Sequence, residues 1–460
     1  MRLSLRTLGT TLALILAVAP ASAHGQHFPD DIEGIIAQRV EEERAVGIVV
    51  GVMEADGSTR IVTAGSAGEG AMPLGAESGF EIGSITKVFT GTLLAILDAR
   101  GVVDMNAPVQ DYLPAGVTMP ARPGQTIRLV DLATHRSGLP RLPGNMAPRD
   151  MANPYADYTV AMMYDFLSEH ELTRDVGAEA EYSNLGVGLL GHVLARAAGT
   201  DYETLVHDEI LAPLGMSSTS ITLDDAAAAA MAKGHDTNSV EVPLWDLPTV
   251  AGAGALRSNM QDMLRFLAAN VGAPSNSVHE GLRAAHEPRE VMGQGTEIGL
   301  NWITRSTPNG EIVWHNGGTG GFRTFMGFDP AREVGVVVLT NSGHGADDIG
   351  FHLIDSSLGL TPAPTPPTER VEVAVAAEIL ERYVGEYELA PNFSIVVTMN
   401  DGALFVQATG QPQFPIFAES DTEFFLRVVD AQVTFVEEDG VVTSMILHQG
   451  GADQPARKIN

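Results

Sequence analysis

The chain has no cysteine among its 460 residues. That excludes disulfide staples, thiolate nucleophiles, thiolate metal sites and lipid attachment through an N-terminal cysteine. Positive charge is scarce, with 27 Lys and Arg against 58 Asp and Glu, and only Lys87, Lys233 and Lys458 are lysines. The formal charge is −31, or −33 once Arg2 and Arg6 are set aside. A field of that sign repels nucleic acid and anionic lipid. Long hydrophobic runs are missing too. The longest, Leu8 to Val18, is too short for a bilayer core of ~30 Å. With Arg2 and Arg6 before it and Ala21-Ser22-Ala23 after it, the run has the layout of a cleavable export signal over residues 1–23. A periplasmic or secreted protein without a transmembrane anchor is the expectation.

What is present reads as globular: 44% hydrophobic and 18% charged residues, enough chain to bury a sizeable core. Pro29 to Ala45 carries Ile32, Ile35, Ile36 and Val40 at helical spacing. Gly47 to Met53 and Arg60 to Ala64 read as strands joined through Ala55-Asp56-Gly57. From about Ser84, apolar residues recur every three or four positions until Gly101 ends the helix. The middle, about 105 to 300, reads as loops and helices. Strands return at Glu311 to His315, Thr324 to Phe328 and Gly335 to Leu339. Strands at both ends predict one antiparallel sheet with a helical insertion, an α+β architecture with its cleft between sheet and helices. Thr361-Pro362-Ala363-Pro364-Thr365-Pro366-Pro367 predicts a stiff linker. Beyond it, short runs from Ser394 to His448, punctuated by Asn400-Asp401-Gly402 and Glu438-Asp439-Gly440, predict a small antiparallel barrel-like domain. The expected division is 24–360, a linker at 361–370, and 371–460.

One of the three lysines lies three residues after a serine, in Ser84-Ile85-Thr86-Lys87. Positions i and i+3 share a helix face. Burial disfavours the charged ammonium, so such a lysine can act as a base, a role arginine cannot fill. A serine hydroxyl needs such a neighbour to become a nucleophile. Glu181-Tyr182-Ser183-Asn184 puts a phenol and a carboxamide two residues apart, facing one way if that backbone is extended. Trp314-His315-Asn316-Gly317-Gly318-Thr319-Gly320-Gly321 follows a predicted strand, where glycines let a substrate approach the edge. Taken singly, an N-cap serine, a packed tyrosine and a glycine turn explain these three clusters as well.

In this order the three resemble the penicillin-recognising serine hydrolases: class C β-lactamases, D-alanyl-D-alanine carboxypeptidases, D-aminopeptidases and family VIII esterases. Asp131-Leu132-Ala133-Thr134-His135-Arg136-Ser137-Gly138-Leu139-Pro140, Pro213-Leu214-Gly215-Met216 and Ala253-Gly254-Ala255-Leu256-Arg257-Ser258 are similar to the same group. The resemblance implies Ser84 as nucleophile, Lys87 and Tyr182 as the proton-handling pair, and Asn184 as a substrate ligand. It also implies His315-Asn316-Gly317 as the strand motif and the N–H groups of Ser84 and Gly318 as oxyanion donors. No metal or cofactor is implied. Many β-lactamases have lysine where this chain has His315, so the histidine resembles the carboxypeptidase and D-aminopeptidase branches more. The expected activity is hydrolysis of amide-type small molecules or peptides through an acyl-enzyme.

Four alternatives are weighed against it. A family VIII-type carboxylesterase uses the same residues, and a non-catalytic binding protein shares the scaffold. A Ser-His-Asp triad lacks its Gly-x-Ser-x-Gly elbow, and His135, in a Thr-His-Arg-Ser-Gly turn, is expected to hold structure. A zinc helix is excluded because His279 and His286 are too widely spaced.

Overall fold

A computed structural model describes residues 27–459, apart from 274, 294, 364–369, 391–392, 401, 412, 430, 439 and 450–451. The expected leader at 1–23 and most of the expected linker, 364–369, lie outside the described residues. The chain divides between Thr361 and Pro362 into two compact units.

The first unit is built on an eight-stranded antiparallel sheet. Its order runs Thr59–Gly65, Gly47–Met53, Val334–Thr340, Arg323–Asp329, Gly310–Gly318, Ile303–Thr307, Thr296–Ile298, Glu290–Gly293. The two chain ends meet in its middle, where Ile48 pairs with Thr340 and Val52 with Val336. Gly47–Met53 is buried along its whole length because both faces of the sheet are covered. Alternation sends Ile48, Val50 and Val52 to one face, where they pack with Phe28, Ile32, Ile36, Ile349 and Leu353. Val49, Val337 and Leu339 face the other way, into the core that holds Leu264, Phe266, Leu267 and the helix after Ser84. Ile32–Glu41 is shorter than the apolar spacing predicts. Asp31 caps it by accepting from the Gly34 N–H.

The helix after Ser84 spans Thr86–Ala99, and all its residues from Thr86 to Leu97 are buried. It is a central helix rather than a one-faced one, so the expected stripe understates its burial. The strands Glu290–Gly293 and Thr296–Ile298 fall in a stretch expected to be loop and helix. Both are short and partly exposed, too brief for a period-two pattern to stand out. Among the described residues no helix is long and apolar enough to cross a membrane.

The second unit is a closed antiparallel barrel whose strands run in chain order from Gly385–Ala390 to Ala452–Lys458. A short helix, Ala377–Tyr383, precedes it. Closure removes the sheet edges that a small β domain otherwise exposes. Phe414–Ala418 and Ala452–Lys458 are barrel strands without a clear sequence signal: each contains a proline, which weakens a strand reading.

Candidate active site

Gly83–Ile85 forms a single 3-10 turn leading into the helix Thr86–Ala99. Ser84 therefore sits at a helix start, where the first N–H groups have no intrahelical acceptor. Gly83 has φ +50, and a Cβ there would lie 2.7 Å from the Gly318 nitrogen. At Gly317 a Cβ would lie 2.0 Å from the Ile82 carbonyl oxygen. The Thr324 hydroxyl donates to that same carbonyl, at 3.0 Å. Only glycine lets the strand Gly310–Gly318 approach the serine turn this closely.

Lys87 is fully buried, with its Nζ 3.0 Å from Ser84 Oγ. It also donates to the Ala253 carbonyl oxygen at 2.5 Å. Burial, and then the nearby Arg141 guanidinium, hold its pKa well below the ordinary lysine value. In its uncharged form, which burial favours, the amine donates one proton to Ala253 and keeps its lone pair for the serine hydroxyl. The Ala253 to Ser258 stretch thereby gains a local reason: its first carbonyl orients the amine.

Tyr182 lies with its ring centroid 4.9 Å from Lys87 Nζ. Burial pushes its phenol up to about 12, while the Ser84 hydroxyl and Arg141 pull in the opposite direction. The backbone differs from the extended run expected. Ser183 caps the helix Asn184–Ala198 by accepting from the Gly186 N–H, so Tyr182 precedes the cap and Asn184 is the first helical residue. A serine directly before an apolar helical run, three residues ahead of the N–H it accepts from, is a readable cap signal, masked here by the motif itself.

His135 holds this corner together. Its φ of +58 is unusual for a non-glycine residue. Its carbonyl accepts from the Glu181 N–H and its Nδ1 from the Ser183 N–H, at 2.8 and 3.2 Å. Its ring lies 4.5 Å from that of Tyr182. This is the structural role expected of it.

An open cleft of about 420 Å³ lies above these groups, lined by Ser84, Arg141, Tyr182, Trp245, Asn316, Gly317, Gly318, Thr319 and Arg323. Of the residues the sequence singles out, Ser84, Tyr182, Asn316, Gly317 and Gly318 reach its surface. Lys87 and His315 lie beneath, and Asn184 stands behind the lining. Asn184 donates to the Tyr155 hydroxyl at 3.3 Å and keeps a buried carbonyl oxygen without a partner. His315 Nδ1 donates to the Asn316 carbonyl oxygen at 2.6 Å. Burial, with Lys87 nearby, drives its pKa down to about 3, so its ring is neutral near pH 7. Asn316 donates to Asp347 at the start of the helix Asp347–Ile354.

Four lining residues went unread in the sequence. Trp245 is held by a buried carboxylate, since its N–H donates to Glu81 Oε1 at 2.7 Å. The Arg257 guanidinium donates to the Trp245 carbonyl at 2.7 Å and lies 3.7 Å from the same carboxylate. Arg323 donates to the carbonyls of Thr319 and Phe322, at 2.6 and 2.8 Å. Arg141 follows directly on the Gly138-Leu139-Pro140 motif and Thr319 sits inside the glycine run. Neither position marks a residue as cleft-lining until distant segments are brought together. Larger hollows around His27 and Arg60 and around Asp201 and His207 are lined by no lysine, so neither repeats the serine–lysine pair.

Comparison with known proteins agrees with this geometry. The family model described as Beta-lactamase matches residues 32–356, and one described as a domain of unknown function, DUF3471, matches residues 369–458. The chain is 31% identical over 282 residues to the D-alanyl-D-alanine-carboxypeptidase/endopeptidase AmpH of Escherichia coli K12, covering 58% of this chain and 72% of that one. It is 26% identical to Penicillin-binding protein 4* of Bacillus subtilis 168, covering 84% of this chain and 88% of that one. Among solved structures, a class C beta lactamase from Rhodobacter sphaeroides aligns at TM-score 0.61 and 26% identity, over 71% of this chain and 97% of that one.

Proposed function

The chain belongs to the beta-lactamase family of serine hydrolases, and from that premise we propose that it cleaves amide-type substrates through an acyl-enzyme on Ser84. The observation that carries this reading is the 3.0 Å approach of a fully buried lysine amine to a serine hydroxyl at the mouth of a cleft. Lys87, whose charged form burial disfavours, takes the Ser84 proton as Oγ attacks the substrate carbonyl. Tyr182, with its phenol pushed up to about 12, is protonated near neutral pH and so serves as the acid toward the leaving nitrogen. The N–H groups of Ser84 and Gly318 stabilise the oxyanion, each worth roughly 3–4 kcal/mol in the transition state. Water then releases the acyl group by the reverse proton path. Asn184 is assigned to the amide of the substrate: its carbonyl oxygen has no protein partner, and the side chain must turn from behind the lining into the cleft to make that contact.

Within amide substrates, D-amino-acid peptides fit better than β-lactams. A neutral His315 supplies no cation where many β-lactamases keep a lysine, and AmpH is named a D-alanyl-D-alanine carboxypeptidase and endopeptidase. Export rests on residues 1–23, and N-terminal sequencing of the mature protein, expected to begin at His24, tests it. The enzymatic reading is tested with a D-amino-acid p-nitroanilide, a chromogenic cephalosporin and a p-nitrophenyl ester, alongside intact mass after exposure to penicillin. The expected result is turnover of the anilide and a slowly lost adduct on the Ser84 peptide, both abolished in Ser84→Ala. Turnover that persists in Ser84→Ala sinks the proposal. Ester turnover with neither amide substrate cleaved replaces it with the carboxylesterase reading.

A further inference from the structure

Arg141 lines the cleft beside Tyr182, with its guanidinium carbon 5.0 Å from the centre of the tyrosine ring. The side chain is exposed and makes no hydrogen bond or ion pair among the described residues. Acidic residues outnumber basic ones by 58 to 27 in this chain, so carboxylates that could neutralise it are not scarce. Its position is also costly. The Arg141 guanidinium and the Lys87 amine flank one phenol ring, and Arg141 opposes protonation of Lys87. Arg323, the other arginine of the cleft, differs: its guanidinium is committed to the Thr319 and Phe322 carbonyls. His315 is neutral and buried. Among the described residues the free cation of the cleft surface is therefore Arg141, on the phenol side of Ser84, whereas Arg323 packs beside Gly318.

We propose that Arg141 binds a carboxylate carried by the substrate, so that the enzyme selects acyl compounds with an anionic group near the scissile carbonyl. This rests on the hydrolase reading above. A planar guanidinium with free N–H groups on a strongly acidic protein suits a carboxylate, which it can hold bidentately. Elsewhere the net field repels anions, so this local contact decides whether an anionic substrate is tolerated or preferred. Pairing also offsets the field that Arg141 exerts on Lys87, which links occupancy of the cleft to the proton affinity of the base.

Two matched ester pairs test it. One compares 4-nitrophenyl valerate with the 4-nitrophenyl monoester of glutarate, which adds a carboxylate to the acyl half. The other compares phenyl acetate with 3-carboxyphenyl acetate, which adds it to the leaving group. The readout is the ratio of kcat/KM for the anionic ester to that for its neutral partner, so effects common to both cancel. In the native enzyme one ratio is expected to exceed unity by about tenfold, to fall about tenfold or more in Arg141→Gln, and to recover in part in Arg141→Lys. The pair that responds assigns the carboxylate to the acyl or leaving side. Isothermal titration with glutarate, native protein against Arg141→Gln, makes the same comparison without turnover: binding about tenfold weaker in the variant is expected. If no ester is hydrolysed, the glutarate titration still tests Arg141 without turnover, while the hydrolase reading stands or falls separately on the amide substrates and Ser84→Ala. Anion preference that survives Arg141→Gln overturns the proposal, as does its loss only in Arg323→Gln. So does a parallel fall of both esters with unchanged glutarate binding.

Discussion

Lys87, Glu81, His135 and His315 are each less than a tenth exposed inside the unit that carries Ser84, whereas the barrel core is apolar apart from two tyrosines. Those tyrosines are satisfied: Tyr383 donates to the Asp421 carbonyl and Tyr387 to the Tyr383 carbonyl, both at 2.8 Å. Among the described residues, every buried side-chain polar atom without a partner belongs to the first unit, including Asn184 Oδ1, His135 Nε2 and His315 Nε2. Leaving such groups unpaired opposes folding. Three of them, on Asn184, His135 and His315, lie close to the cleft, and there the molecule trades stability for chemistry. In the barrel that trade is absent.

The contrast breaks most sharply at Lys87. Lys87→Met makes the first core resemble the second. Turnover is expected to fall by roughly 10²–10⁴-fold, while the thermal midpoint holds or rises because no amine has to be desolvated. Steady-state kinetics beside a melting curve check both halves, and a large drop in the midpoint contradicts the trade. Gly317→Ala is the next largest. Its Cβ meets the Ile82 carbonyl oxygen, so strand and serine turn must separate. A displacement of about 1 Å in such a site costs on the order of 10²-fold in kcat/KM.

The third effect is on acid stability. Burial depresses the pKa of His135 and holds those of His286 and His315 near 3, below the ordinary value of 6.5. Above pH 6.5 these rings are neutral folded or unfolded. Below it the unfolded chain gains protons that the folded state refuses, so stability falls from pH 6.5 toward 3, by at most about 1.4 kcal/mol per pH unit for each ring. Trp245, Trp302 and Trp314 all lie in the first unit, so tryptophan fluorescence during urea unfolding reports on it alone. A midpoint that does not change between pH 7 and 4 rejects this account. The smallest effect belongs to the barrel. Tyr383→Phe removes one hydrogen bond, with an expected cost of about 1 kcal/mol and no change in kcat/KM.

The sequence carried the sheet's central strands and the serine helix, because their apolar patterns are long and their ends are marked. It also carried the landmarks of the cleft floor, since Ser84 and Lys87 are joined by a single helical turn. The roles read into Ser84, Lys87 and Tyr182 remain for the mutants to test. What stayed hidden depends on long-range closure. Ala253 as acceptor for Lys87, Trp245 held on Glu81, and Arg141 over Tyr182 each join segments that no local pattern connects. The cap at Ser183 was obscured for a different reason: a Tyr-x-Asn triplet and a helix start occupy the same residues.

The pairing of Ile48 with Thr340 sets a problem during synthesis. Gly47–Met53 leaves the ribosome early, and its partner follows roughly 290 residues later, a wait of about 15–60 s at ordinary elongation rates. Through that interval a wholly apolar segment of high strand propensity has its hairpin partner Thr59–Gly65 on one side but no neighbour on its inner side. The nascent chain thus depends on something to shield this segment, and crowded or starved cells should accumulate aggregates nucleated there before any completed enzyme fails.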